Sequence, residues 1–263
     1  MMLDTLNDQL SSHVLERFIT TFLGYGNVRA PLWFIGKEEG GDCSPDSLRE
    51  RFAWWQARGC LAVDDLEEYH AQTRLARFVH REAQATWIQL SRVALAAQFL
   101  PSDRAASLAY QIRRLGRRAS DTALFEFLPL PAEGTSHWPY GMLSDLPVLR
   151  TRAVYEREVA PIRVRLIQQM IDEHRPAVVV MYGNNATYRP RWAAIAGQLL
   201  SETALEHVDS KFNRVWHCER GESKLVIMEH PTHFGPTNAY FEAVGKFIAG
   251  FLRRPKPKFE GEE

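Results

Sequence analysis

Leu6, Leu10, Val14, Leu15, Phe18, Ile19 and Phe22 recur at three- and four-residue spacing. That period predicts a helix over 5–24, ended by Gly24 and Gly26. Four short apolar runs then break the helical period. Leu32-Trp33-Phe34-Ile35 is stopped by Gly36, and Ala123–Leu128 runs into a proline-rich loop. Ala177-Val178-Val179-Val180-Met181 lies between Pro176 and Gly183, and Leu225-Val226-Ile227-Met228 is followed by His230-Pro231. Their length and β-branched or aromatic content predict buried strands. Trp216-His217 is a further candidate for a short strand. Helical spacing returns at 151–174, 190–201 and 238–253, the last with Tyr240, Phe241, Val244, Phe247, Ile248 and Phe251 on one side. Residues 45–118 are rich in Ala, Arg, Leu and Gln and carry helical spacing at Phe78, Trp87, Leu90, Val93, Leu95 and Phe99.

Strands alternating with helices predict an α/β fold: a three-layer α/β/α sandwich around a short, mostly parallel central sheet. The chain reads as one domain over 1–263. Segment 45–118 is long for one crossover and reads as an added helical region or insertion. The tail over 253–263, with its R-R-P-K-P-K start, reads as mobile and basic. In such sheets function gathers beyond the carboxyl ends of strands. The loops after Ile35, Leu128, Met181 and Met228 are therefore the candidates.

The 263 residues carry 32 Lys+Arg and 32 Asp+Glu. Zero net charge argues against coating nucleic acid by bulk charge and leaves room for a local basic groove. No apolar run approaches the roughly 18 residues of a membrane span. The start M-M-L-D-T-L-N-D-Q-L lacks the basic and then apolar regions of a leader. The expectation is a cytoplasmic monomer with no membrane partner. Cys43, Cys60 and Cys218 form no C-x-x-C pair, and the His residues form no H-E-x-x-H pair. No disulfide, metal or cofactor is expected.

The loop Gly36-Lys37-Glu38-Glu39-Gly40-Gly41-Asp42 packs three acids and three glycines into seven residues. By composition it fits a solvated turn as well as a ligand loop. It has neither a Walker A ending nor a dinucleotide G-x-G-x-x-G. Its counterpart is Glu229-His230-Pro231-Thr232-His233-Phe234, where proline stiffens the chain just after a strand-end histidine.

L-W-F-I-G-K-E-E-G-G, followed near the C-terminus by V-I-M-E-H-P-T, resembles the uracil-DNA glycosylase superfamily. That superfamily carries G-x-[DN]-P-[YG] or G-E-x-P-G after its first core strand and H-P-S near its end. F-E-F-L-P-L-P is similar to the family strand bearing a base-reading Asn, and V-V-V-M-Y-G-N-N-A to a strand ending in a G-x-x-A turn. The four segments occur in family order across about 30–252; 45–118 is not covered. The chain departs from the pattern in three places. Glu39 replaces the motif proline, Thr232 the Ser of H-P-S, and Glu126 the base-reading Asn.

The resemblance implies a DNA glycosylase, with DNA as partner. Glu38 would hold or activate the attacking water, and His230 would donate to O2 of the departing base. Gly36, Glu39, Gly40 and Glu126 would border the base. Asn184, Asn185, Arg189, Thr232, His233 and Phe234 would meet DNA, with His233 or Phe234 as a wedge that offsets the cost of flipping the base. Arg104, Arg113, Arg114, Arg117, Arg118 and Arg191 are further candidates for phosphate contacts. An ionised Glu126 is acceptor-only and would pair with an exocyclic amine. Gly40 stands where some branches of the family carry a Tyr that excludes 5-substituents and others a Gly; together the two residues imply a cytosine type modified at the 5-position, as in phage DNA, and such an enzyme would serve defence, with uracil as the next choice. Two alternatives stand beside this: a degenerate superfamily member that binds DNA without cutting, and a hydrolase or transferase of free nucleosides.

Overall fold

In the computed structural model, residues 10–73, 75–134, 137–208 and 211–252 are described. The chain begins with α1 (Ser12–Thr21), β1 (Gly24–Gly26), β2 (Leu32–Gly36), α2 (Pro45–Ala57) and β3 (Val63–Asp64). Four helices follow: α3 (Leu66–His70), α4 (Ala76–His80), α5 (Ala85–Ala97) and α6 (Arg104–Arg113). Then come β4 (Thr122–Glu126), α7 (Tyr140–Leu143), α8 (Arg152–His174), β5 (Val178–Tyr182) and α9 (Arg189–Ala196). The chain closes with β6 (Ser201–Ala204), β7 (Arg214–Arg220), β8 (Ser223–Met228) and α10 (Asn238–Leu252).

The strands form one sheet in the order β3-β1-β4-β2-β5-β8-β7-β6. The four central strands, β4-β2-β5-β8, run parallel. Their residues are buried throughout, as expected of strands covered on both faces. The architecture is the expected α/β/α sandwich. Side chains on the starts of helices set several of the crossovers: Ser44, Asp103 and Thr151 cap α2, α6 and α8 by accepting from free backbone N–H groups.

Four elements differ from the sequence expectation. Helix α1 is described from Ser12, and the earlier part of the expected 5–24 helix lies largely outside the described residues. Gly24 and Gly26, read as helix stops, bound a three-residue strand that pairs antiparallel with β4. β7 runs for seven residues rather than two and returns into β8 through a tight turn. Its buried Val215 and Cys218 are separated by polar positions, so its apolar signal is weak. Segment 45–118 is built into the sandwich: β3 extends the sheet beside β1, and α5 packs along α10. The tail 253–263, expected to be mobile, lies outside the described residues. Among the described residues, no helix is long and apolar enough to cross a membrane.

Gly245 lets α10 approach α5. A Cβ built there would lie 2.6 Å from Ala96 Cβ and 2.6 Å from the Val93 carbonyl oxygen. Gly245→Ala gains up to about 1 kcal/mol of helix propensity. Overpacking against backbone costs about 1–3 kcal/mol, so the clash outweighs that gain. The variant is expected to be less stable than the parent, read as a lower urea midpoint at unchanged slope.

Candidate functional site

The register aligns the carboxyl ends of the central strands. Gly36 is level with Glu126, Ile35 with Met181, and Tyr182 with Met228. Since side chains alternate along a strand, Glu126, Gly36 and Tyr182 face the same side of the sheet. Gly36 leaves a gap between the other two. A Cβ there would lie 2.2 Å from Tyr182 Oη and 2.9 Å from Glu126 Oε2. Any residue but glycine would displace one of these polar tips.

Beside this gap opens a cleft of ≈ 760 Å³. Lys37, Tyr182, Asn185, Tyr188, His230 and Arg152 are among the residues that line it, with Thr232 and His233 at one side. The loops after β2, β5 and β8 thus share one cleft. Glu38 sits at its border, tied to two of its lining residues. Arg152 Nη2 donates to both Glu38 oxygens at 2.6 and 2.5 Å, and Lys37 Nζ lies 2.8 Å from Oε1. Arg152 also holds Glu156, which pairs with Arg191.

The His230 imidazole is half-buried and packs edge-on at 5.5 Å from the Tyr182 ring. The Thr232 backbone N–H donates to His230 Nδ1 at 3.2 Å. A backbone N–H can only donate, so Nδ1 is an acceptor and a neutral ring carries its proton on Nε2. Burial, with His233 and Lys37 nearby, holds the His230 pKa below its usual value. Both effects favour a neutral Nε2–H donor.

Glu39 turns away from the cleft. Arg51 donates to both of its oxygens at 2.8 and 2.9 Å, and Tyr25 Oη donates to Oε2 at 2.8 Å. His70 Nε2 stands 3.5 Å from Oε1. Burial opposes the charge, but Arg51 and His70 hold the Glu39 pKa down at about 2. Expected to border a base, Glu39 instead anchors its loop to α2. Gly40 is exposed, with open space where a side chain would start, and does not line the cleft.

Glu126 is buried, and its Oε2 has no hydrogen-bond partner. Arg163 approaches, yet it donates to the backbone carbonyls of Glu126 and Phe127 rather than to the carboxylate. Burial, then the charges of Glu39 and Glu38, push the Glu126 pKa well above the ordinary carboxylate value. Burial and the neighbouring acids thus disfavour the ionised, acceptor-only carboxylate of the sequence reading.

The expected DNA contacts divide. Asn185 lines the cleft while accepting from the N–H groups of Thr187 and Tyr188. Asn184 donates to Glu229 and accepts from Arg189, whose guanidinium lies 4.3 Å from the Trp216 ring centre. Phe234 is 96% exposed at a loop tip. Arg117 and Arg118 pair with acids of the β3–α3 segment, and Arg114 with Asp121, so these three do not form an unopposed basic stripe. Among the described residues, no group of three His, Cys, Asp or Glu could hold a metal ion.

Three residues were missed by sequence reasoning. Tyr182 had a visible signal, ending the best strand just before Gly183-Asn184-Asn185. Lys37 sat inside a loop read for its acids. Arg152 looked like an ordinary charge on an amphipathic helix, and only the fold brings it to Glu38. No protein-family model matches the chain, and no curated protein sequence matches it.

Replacing Arg51 by Met leaves Glu39 buried without its partner. The expected loss is about 3–5 kcal/mol of stability at pH 7, and the double variant Arg51→Met/Glu39→Gln should recover most of it in urea titrations. His70 supplies a pH test. Burial lowers its pKa from 6.5 to about 4. The unfolded chain then binds a proton more readily than the folded one, so stability falls as pH drops through that window, by about 3 kcal/mol when complete. His70→Phe should flatten this part of the stability–pH curve.

Proposed function

We propose that the protein is a DNA glycosylase, which flips a nucleotide into the cleft and hydrolyses its N-glycosidic bond. The observation that supports this best is the His230 imidazole, held as an Nε2–H donor at the mouth of a strand-end cleft bordered by a carboxylate. Glycosidic cleavage puts negative charge on the leaving base and positive charge on the sugar. A fixed donor favours the first, and the Glu38 carboxylate at the cleft border favours the second. Exposed Phe234 and His233, beside His230, suit a wedge that fills the space left by the flipped base. The order of motifs across about 30–252 agrees with the uracil-DNA glycosylase superfamily. Its substrate would be a non-standard pyrimidine, and its setting repair or defence against phage DNA.

A second reading rests on a specific observation. Arg152 donates to both Glu38 oxygens, which occupies the carboxylate that would have to hold the attacking water. A cleft of this kind could bind a flipped base without releasing it.

Oligonucleotides containing uracil, hypoxanthine, cytosine or 5-modified cytosines, incubated with the protein and then treated with alkali, separate the two. Strand breaks are expected from at least one pyrimidine substrate. His230→Ala should then lower base release by about 100-fold or more, the usual cost of a lost transition-state donor, with the mobility shift on DNA unchanged. A mobility shift without breaks supports the binding reading. Absence of both, with free nucleosides consumed, would replace the proposal by a nucleoside hydrolase or transferase.

A further inference from the structure

Lys37, Glu38, Arg152, Glu156 and Arg191 form one run of ion pairs beside the cleft. The signs alternate and a cation stands at each end. Three positive charges thus meet two negative ones, and the run carries a formal surplus of one positive charge. Lys37, Arg152 and Glu156 line the cleft, with Glu38 at its border. Glu156 is spent on Arg152 and Arg191. Arg152 stands at the first position of α8, whose first turn holds no acid. A helix start already carries partial positive charge, so a cation is unfavourable there. Positive charge is gathered at one side of the cleft at a cost to the helix, and a local rule broken in this way is the usual mark of a site.

We infer that Lys37 and Arg152 form a phosphate subsite in the cleft, with Glu38 as its internal counter-charge. The inference rests on the glycosylase reading for the source of the phosphate, the backbone of the nucleotide that flips into the cleft. The donors suit that ligand. A guanidinium has five N–H donors and an ammonium three. Arg152 spends four on the two Glu38 oxygens, Glu156 and the Gly134 carbonyl, which leaves one among the described residues. Lys37 Nζ pairs with Glu38 and stands 5.0 Å from the Tyr188 ring centre. Both cations can keep Glu38 and still donate to a second anion. A charge-assisted bond to a phosphate oxygen is roughly twice as strong as a neutral one.

The counter-charge sets how tightly the subsite holds. The Glu38 carboxylate competes with an incoming phosphate for the same two cations and repels it. Arg152 keeps a carboxylate partner when Glu38 is removed, because Glu156 holds it and is itself held by Arg191. A strand that stays stacked does not enter the cleft. A phosphate contact made inside it therefore favours the flipped nucleotide over the stacked one.

The test is equilibrium binding by the full chain of oligonucleotides carrying one 2′-fluoro-2′-deoxyuridine, whose fluorine slows glycosidic cleavage. Lys37→Met should weaken binding and lower the slope of log affinity against log salt by about one. Glu38→Gln should tighten binding by about threefold or more, the scale of a charge pair near the surface, and by less in the Lys37→Met background. A Glu38 that only shapes its loop predicts no tightening. A second arm changes no residue. One uncharged methylphosphonate linkage is placed on the 5′ or the 3′ side of the target nucleotide. At one of these positions it should weaken wild-type binding by about tenfold, the cost of a lost bond to a charged group, and erase the gain from Glu38→Gln. Indifference to both neutral linkages, or weaker binding by Glu38→Gln, would overturn the inference. A melting temperature raised by inorganic phosphate alone, with both linkages silent, would also overturn it and assign the cations to a free phosphate. Base release is scored separately on unfluorinated oligonucleotides. Linkage-sensitive binding without release sinks the glycosylase reading and keeps the subsite; release with linkage-insensitive binding does the reverse, and no binding at all ends both.

Discussion

The bidentate pair between Glu39 and Arg51 is the interaction on which the site depends. It is buried, with Tyr25 completing the carboxylate's contacts. Removing two charges from water costs several kcal/mol each, and the near-planar double hydrogen bond must offset that. In return, the loop after β2 has a fixed anchor on α2. With Glu39 drawn inward to Arg51, Glu38 is left to meet Arg152 and Lys37 at the edge of the cleft. The two neighbouring acids thus have separate partners, Glu39 in the interior and Glu38 at the edge of the cleft.

Three glutamates converge on the end of β2, and their fates differ because their partners do. Glu39 has an arginine and a tyrosine, and Glu38 has an arginine and a lysine. Glu126 has no cation on its carboxylate and two negative neighbours. Burial and Coulomb repulsion from Glu39 and Glu38 raise the Glu126 pKa well above the ordinary carboxylate value, while Arg51 holds that of Glu39 low.

The sequence made the central sheet legible because its four parallel strands are buried on both faces and read as continuous apolar runs. The flanking strands were harder. β1 and β3 are too short to show a period, and β7 buries only Val215 and Cys218, with the half-buried Trp216 and His217 between them. Residues 45–118 looked like an added region because the segment is long for one crossover; the packing of α5 on α10 depends on Gly245, whose contact with Ala96 and Val93 spans about 150 positions. At the site, Glu38, His230 and Asn185 could be found from their places after strands. The ion pairs that set their character could not. Arg51 and Arg152 are ordinary helix charges in the sequence, and their partners are fixed only by the tertiary fold. The same holds for the protonation of Glu126, which depends on what surrounds it rather than on any local pattern.

The two groups that approach the cleft from the ends of β2 and β8 are held by different means. Glu38 is pinned by ion pairs from Arg152 on α8 and from its chain neighbour Lys37. His230 is oriented by the Thr232 backbone N–H, which takes Nδ1 and leaves Nε2 as the donor, and burial disfavours its imidazolium form. An acid and a donor thus stand at one cleft, each with its orientation set before any ligand arrives. Polar groups fixed in this way spare the reorganisation that flexible ones would need. The arrangement comes from the same parallel register that brings the ends of β2, β5 and β8 level.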